Sequence, residues 1–165
     1  MVTRIAQVSD AHLSAARPFF ADNFARVAEA VRAAAPDLML ATGDLSLDGA
    51  DSDDDLSHAQ AAHAAIGREW LSIPGNHDVG DEPVLGGKQP VDAARLERWR
   101  RIAGPEAWVH DIPGWRLIGL DTQSLTVNEA QWDVIERGWR DAGYRRVALI
   151  QHKPLTEESL SDTAV

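Results

Sequence analysis

"WLSIPGNHD", Trp70 to Asp78, is the stretch from which the fold can be read outward. "WLSI" has the pattern of a short buried strand, and Pro74 and Gly75 end it, because proline presets φ and glycine tolerates positive φ at little cost. Asn76 suits the same turn. Turn chemistry leaves His77 and Asp78 unexplained, and an aspartate beside a histidine can orient the imidazole and raise its basicity. Two earlier junctions have the same form: "RIAQVS" (4–9) runs into Asp10-Ala11-His12, and "LMLAT" (38–42) runs into Gly43-Asp44. Helical periodicity fills the gaps. Phe24, Val27, Ala28 and Val31 share a face between Asp22, read as an N-cap, and Ala35, with Pro36 as the stop; a second helix is expected from about Leu56 to Ile66. The β-α-β-α-β order predicts a parallel sheet covered by helices.

The second half is less regular. "VDAARLERWRRIAG" (91–104) reads as a helix with Leu96, Trp99 and Ala103 on one face, and "WVHDIPGWRLIGLD" (108–121) as two antiparallel strands turned at Pro113-Gly114. Asn128 to Ala142 reads as a helix with Trp132, Ile135 and Trp139 on one face, Asn128 and Gln131 in capping-box positions and Gly143 as its stop. "RVALIQH" (146–152) is the last strand, and the polar tail after it has neither helix nor strand pattern.

A chain of 165 residues with 44% hydrophobic composition suits one compact domain, residues 1–165. No apolar run approaches the roughly 20 residues that cross a bilayer, and the N-terminus lacks the apolar core of a signal peptide, so a cytoplasmic protein without a membrane partner is expected. With no cysteine, a metal must be held by carboxylate, imidazole, amide or water, a donor set that suits Mn²⁺, Fe, Mg²⁺ or Zn²⁺. The formal charge of −10 argues against binding long nucleic acid and leaves room for a small anionic substrate beside a local cation.

Ligands of parallel α/β sheets gather outside the carboxyl ends of the strands, so Asp10, His12, Asp44, Asn76, His77 and His152 are expected to become neighbours. Asp10 and His12, two apart on an extended segment, would point to one side and grip one ion; Asp44 is placed to bridge two. Each cluster alone has an ordinary reading as a cap or turn. Four of them in this order, each at a strand end, are hard to obtain by accident.

The combination resembles the calcineurin-like metallophosphoesterase family, whose pattern is D-x-H, GD, GNH-[DE], H and then GHxH. "DAH", "GD", "GNHD" and His152 match its first four parts, and "VSDAHLS", "GDLSLDG" and "IPGNHD" are most similar to the bacterial branch that includes class III cyclic nucleotide phosphodiesterases. The resemblance implies an α/β/β/α sandwich of two mixed sheets and two divalent ions, Mn, Fe or Zn. By the same resemblance Asp10 and His12 hold the first ion, Asp44 bridges, Asn76 and His152 hold the second, and His77, oriented by Asp78, acts catalytically on the scissile phosphate. The implied reaction is hydrolysis of a small phosphomonoester or phosphodiester, nucleotide-like by preference, by metal-activated water. No GHxH occurs in the sequence. The expectation is therefore a C-terminally incomplete copy lacking later strands, and the rival reading is a noncatalytic module that binds metal weakly or recruits a partner.

The remaining polar and aromatic residues take ordinary readings. His58 and His63 are expected on a solvated helix, His110 in a structural strand position, "DSDDD" (51–55) as a solvated helix start, and Trp99, Trp132 and Trp139 in the core. Asp121 reads as a turn cap and Lys153 as a surface cation.

Overall fold

The computed structural model of the chain describes residues 2–85 and 87–154; the tail from 155 to 165, expected to lack helix and strand pattern, lies outside them. The architecture is organised by "LMLAT". All five residues of this strand, β2 (Leu38–Thr42), are buried. A strand apolar on both faces belongs in the middle of a parallel sheet covered on both sides, and β2 pairs in parallel with β1 (Ile5–Val8) on one edge and β3 (Trp70–Ile73) on the other. Leu38 and Leu40 point one way, into a core shared with Leu117, Trp108, Ile112 and Ala148 of the second sheet. Met39 and Ala41 point the other way, towards the helices.

Helix α1 (Ala21–Ala34) lays Ala28 and Val31 against Val8 and Met39. Helices α2 (Asp53–Ala64) and α4 (Ala93–Ile102) close over Ala41 with Leu56, Ala59, Leu96 and Trp99, and between them comes the single turn α3 (Asn76–Val79). The second sheet is a hairpin of β4 (Trp108–Ile112) and β5 (Trp115–Gly119), with β6 (Arg146–Ile150) added in parallel to β5. The hairpin turns at Pro113-Gly114, where Gly114 takes φ 80°. Its outer face is covered by α5 (Ala130–Arg140), whose Gly138 lies so close to Ile118 and Val109 that an added Cβ would sit 2.9 Å from each. The α/β/β/α sandwich is thus realised. Of its two sheets, the first is wholly parallel among the described residues and the second is mixed. No described helix is long and apolar enough to cross a membrane.

Several local expectations are corrected. Helix α1 starts earlier than Asp22: Phe20 occupies the N-cap without any side-chain cap bond, and Asp22 falls in the first turn. His63 is not solvated but buried at 1% exposure, stacked 5.5 Å from Trp70 and tilted against Phe24, with Nδ1 donating to the Ala59 carbonyl at 2.8 Å. Burial pushes its pKa down, because the charged form has no water to replace. His58 is exposed as expected. Trp99 is core, but Trp132 and Trp139 are 48% and 64% exposed. Gly138 is the residue that meets the sheet, and its neighbour Trp139 is turned about 100° away from it. Asn128 and Gln131 do not form a capping box: Asn128 donates to Glu106 at 2.8 Å and Gln131 accepts the Asp121 N–H at 3.2 Å, both across tertiary contacts. The "DSDDD" run is more than a solvated start. Ser52 caps α2 at the Asp55 N–H, Asp53 pairs with Arg98 and Arg101 of α4, and the buried Asp55 accepts from Ser14 at 2.7 Å.

Candidate metal centre

Because β1, β2 and β3 run parallel and in register, their carboxyl ends open on one edge, and the loops that follow are tied together by backbone bonds. The amides of Asp10, His12 and Leu13 donate to the carbonyls of Gly43, Asp44 and Leu45 at 3.1, 3.0 and 2.9 Å. Asp10, His12 and Asp44 all adopt left-handed backbone conformations, with φ of 56°, 45° and 52°. The extended alternation expected for Asp10 and His12 is therefore wrong. β1 has already ended, and a left-handed twist at both residues brings His12 Nε2 to 3.9 Å from Asp10 Oδ1. Aspartate and histidine tolerate this region better than most residues, yet three such positions in two adjoining loops are a cost that folded proteins accept at functional sites.

Two glycines let the loops close. A Cβ on Gly43 would run into the His152 ring, and one on Gly75 would run into the Asp44 carboxylate, so the second and third junctions require glycine where the imidazole and the acid pass over the backbone.

The carboxylate of Asp44, 4% exposed, lies at the middle. His12 Nε2 lies 3.7 Å from one oxygen and His152 Nε2 3.5 Å from the other, which also accepts the His77 backbone N–H at 2.9 Å. Burial alone would raise the Asp44 pKa; the His152 contact and the His77 donors outweigh it and hold the acid below the usual carboxylate range. For His152 burial pulls the pKa down, Asp44 pulls it up, and the net direction is upward.

The imidazoles are oriented by carbonyls, which only accept. His152 Nδ1 donates to Thr42 at 2.9 Å and His77 Nδ1 donates to Leu47 at 2.7 Å, so in the neutral rings each Nε2 carries the lone pair. His12 Nδ1 is buried with no hydrogen-bond partner among the described residues, and its ring stands edge-on to His77, centroids 4.5 Å apart. Donor atoms of Asp10, Asp44 and His152 form one compact group and those of His12, Asp44 and His77 a second, each within 4.8 Å, with Asp44 common to both. A carboxylate shared between two groups of nitrogen and oxygen donors fits a pair of cations. Asn76, the first residue of α3, is half-buried in the same loop.

One expected role fails. Asp78 does not touch the His77 imidazole. Consecutive residues on a helical turn diverge by about 100°, and the Asp78 side chain turns inward, wholly buried, to accept from Leu45 N at 3.1 Å, Ser46 N at 2.9 Å, Ser46 Oγ at 2.6 Å and Gly75 N at 3.0 Å. It locks the "GD" loop to the "GNHD" loop. Burial pushes its pKa up against those four donors. The true orienting group for His77, the Leu47 carbonyl, could not be read from sequence, because a backbone oxygen carries no residue signal. Ser46, in "GDLS", was visible but has no signal apart from the fold. Outside this cluster, Asp121 caps its turn as expected and Lys153 pairs with Asp81 at 3.8 Å.

Comparisons with known proteins bear on the fold and the family. Two solved structures share the fold. A purple acid phosphatase from yellow lupin (Lupinus luteus) seeds aligns with a TM-score of 0.53 at 14% identity over 84% of this chain, and a dimetal phosphatase from Danio rerio with 0.51 at 17% over 84%. The chain spans 28% and 51% of those two proteins. No curated protein matches it in sequence. The sequence profile of calcineurin-like phosphoesterases, by contrast, matches residues 3–163, and the chain belongs to that family.

Proposed function

We propose that this chain carries the centre of a binuclear metal-dependent phosphohydrolase acting on phosphomonoesters or phosphodiesters, with a small nucleotide-like phosphodiester as the favoured substrate. The observation that carries the reading is Asp44 shared between two donor groups. By the family resemblance Asp10 and His12 would hold one ion, Asn76 and His152 the other, and Asp44 both, whereas the donor atoms as they stand group Asp10 with His152 and His12 with His77 around Asp44; Mn, Fe or Zn suits this set of nitrogen and oxygen donors. Two such ions supply Lewis acidity towards the phosphate and lower the pKa of water. The residues do the rest. Thr42 and Leu47 fix the rings of His152 and His77 with their Nε2 atoms turned away from the bonded carbonyl. Asp78 holds the loop that presents His77, and with Nδ1 committed to the Leu47 carbonyl it is the doubly protonated ring whose Nε2–H would donate to an ester oxygen. A cytoplasmic setting and the absence of a long nucleic-acid partner belong to the same reading, the latter resting on the net charge of −10.

A second reading is a noncatalytic phosphoesterase-like module that binds metal weakly or recruits a partner. His77→Gln separates the possibilities when turnover of p-nitrophenyl phosphate and metal content are measured together with Mn²⁺. The expected result is a kcat lowered by about 10²–10⁴ with metal content unchanged, the usual contribution of a positioned acid or base. Loss of metal along with activity makes His77 a ligand, as its place in the second donor group allows. A wild-type protein that binds Mn²⁺ and turns over no ester establishes the module.

A further inference from the structure

Two exposed phenylalanines lead into α1, and the second, Phe20, stands beside His12 at the rim of the metal centre. Phe19 is 74% exposed and Phe20 41%, although both are large and apolar. Phe20 also occupies the N-cap of α1, where Ser, Thr, Asp or Asn would accept a backbone N–H that Phe20 leaves without a side-chain partner. Its ring centroid lies 5.9 Å from that of His12. Between Phe20 and the loop of Asp10 lies a cavity of about 180 Å³, with Val8, Phe24 and Val27 as apolar wall and Ser9, Asp10 and Asn23 as polar side. An apolar cavity of about 150 Å³ takes one benzene-sized ring. A residue that breaks the helix-cap rule, stays exposed and lines a ring-sized cavity next to a metal-ligand candidate is placed for a ligand rather than for the fold.

We propose that Phe20 and this cavity form the subsite for the organic group of the phosphate ester, and that the group it takes is a single planar aromatic or heteroaromatic ring stacked on the Phe20 face. The proposal rests on the phosphohydrolase reading, since it takes the phosphate to sit at the Asp10–Asp44 cluster. The cavity then selects among esters by the group attached to phosphorus. Phe24, half-buried under the same cavity, sets its depth, and the exposed edge near Val27 leaves room for substituents on the ring.

The test uses the Mn²⁺-loaded protein and two non-hydrolysable probes, phenylphosphonate and methylphosphonate, titrated by calorimetry, beside turnover of phenyl phosphate and methyl phosphate. The wild type is expected to bind phenylphosphonate about tenfold more tightly than methylphosphonate, the upper range for one aromatic stacking contact. Phe20→Ala should erase that ratio with methylphosphonate affinity and Mn²⁺ stoichiometry unchanged, and Phe20→Tyr should restore it. Equal wild-type affinities, or a ratio that survives in Phe20→Ala, overturn the subsite and leave the phosphohydrolase reading standing if phenyl phosphate is turned over. Failure to bind either phosphonate together with no turnover of either ester overturns both. The wild-type ratio is decisive even if a variant fails to fold.

Discussion

The Asp44 carboxylate receives the His77 N–H on Oδ1 and has an imidazole near each oxygen, so nearly every contact at the centre passes through one side chain. A carboxylate in that position neutralises charge on two cations at once, whereas an amide such as that of Asn76 contacts one. Asp44→Asn should therefore weaken both Mn²⁺ binding steps, while Asn76→Ala weakens mainly one. Calorimetric titration of each variant reads the difference, and loss of a single ion in both would remove the bridging role. The left-handed backbone at Asp10, His12 and Asp44 belongs to the same scale. Those angles aim the side chains, and no residue preference beyond the tolerance of Asp and His for that region announces them.

At the scale of elements, the turn between β3 and α3 works because Asp78 is folded under it. Its four accepted bonds come from two different loops, so the ligand-bearing segments after β2 and β3 behave as one unit. Asp78→Ala leaves the N–H groups of Leu45, Ser46 and Gly75 and the Ser46 hydroxyl without an acceptor in a buried place. At about 1–3 kcal/mol for each unsatisfied group, and with some relaxation, the loss should reach at least about 3 kcal/mol. Urea unfolding measures it, and Mn²⁺ affinity should fall in the same variant because Asp44 loses its support. A variant with wild-type stability and metal binding would show that the loops hold without this tie.

For the whole molecule, stability is linked to pH through acids that the sandwich buries. Asp121 follows β5, is 0% exposed, and burial pushes its pKa up from 3.8 to about 6 against the bonds it accepts from Gln123 N and Ser124 Oγ. As pH rises, the unfolded chain loses this proton near 3.8 and the folded chain only near 6, so the contribution is full below 3.8 and is lost by about pH 6. A shift of about two units is worth roughly 3 kcal/mol as an upper value. His63, whose pKa burial lowers, slopes the other way, being stabilising above its ordinary pKa and less so as pH falls. The diagnostic quantity is thus the difference between the wild type and Asp121→Asn in urea unfolding between pH 4 and pH 6. That difference should change with pH in favour of the variant as pH rises, and a constant difference would mean that Asp121 does not titrate in this range.

Sequence by itself determined what short-range chemistry controls. The strand before Pro74-Gly75, the hairpin at Pro113-Gly114, the buried "LMLAT" and the ligand types at four strand ends were legible because each depends on residues within a few positions of one another. Parallel order followed, and with it the convergence of Asp10, His12, Asp44 and His77, since parallel strands put their carboxyl ends on one edge; His152 follows β6 of the second sheet and joins them only through the packing of the two sheets. Tertiary structure alone decided the rest. His63 became core because Phe24 and Trp70, from α1 and β3, close over it. Trp132 and Trp139 were left outside because Gly138 offered the closer approach to β4 and β5. Asp78 turned from its neighbour His77 to a loop more than thirty positions earlier, where three donors awaited an acceptor. In each case the deciding partner lies far away in sequence, and burial or pairing is a property of the surface that arrives, not of the residue that meets it.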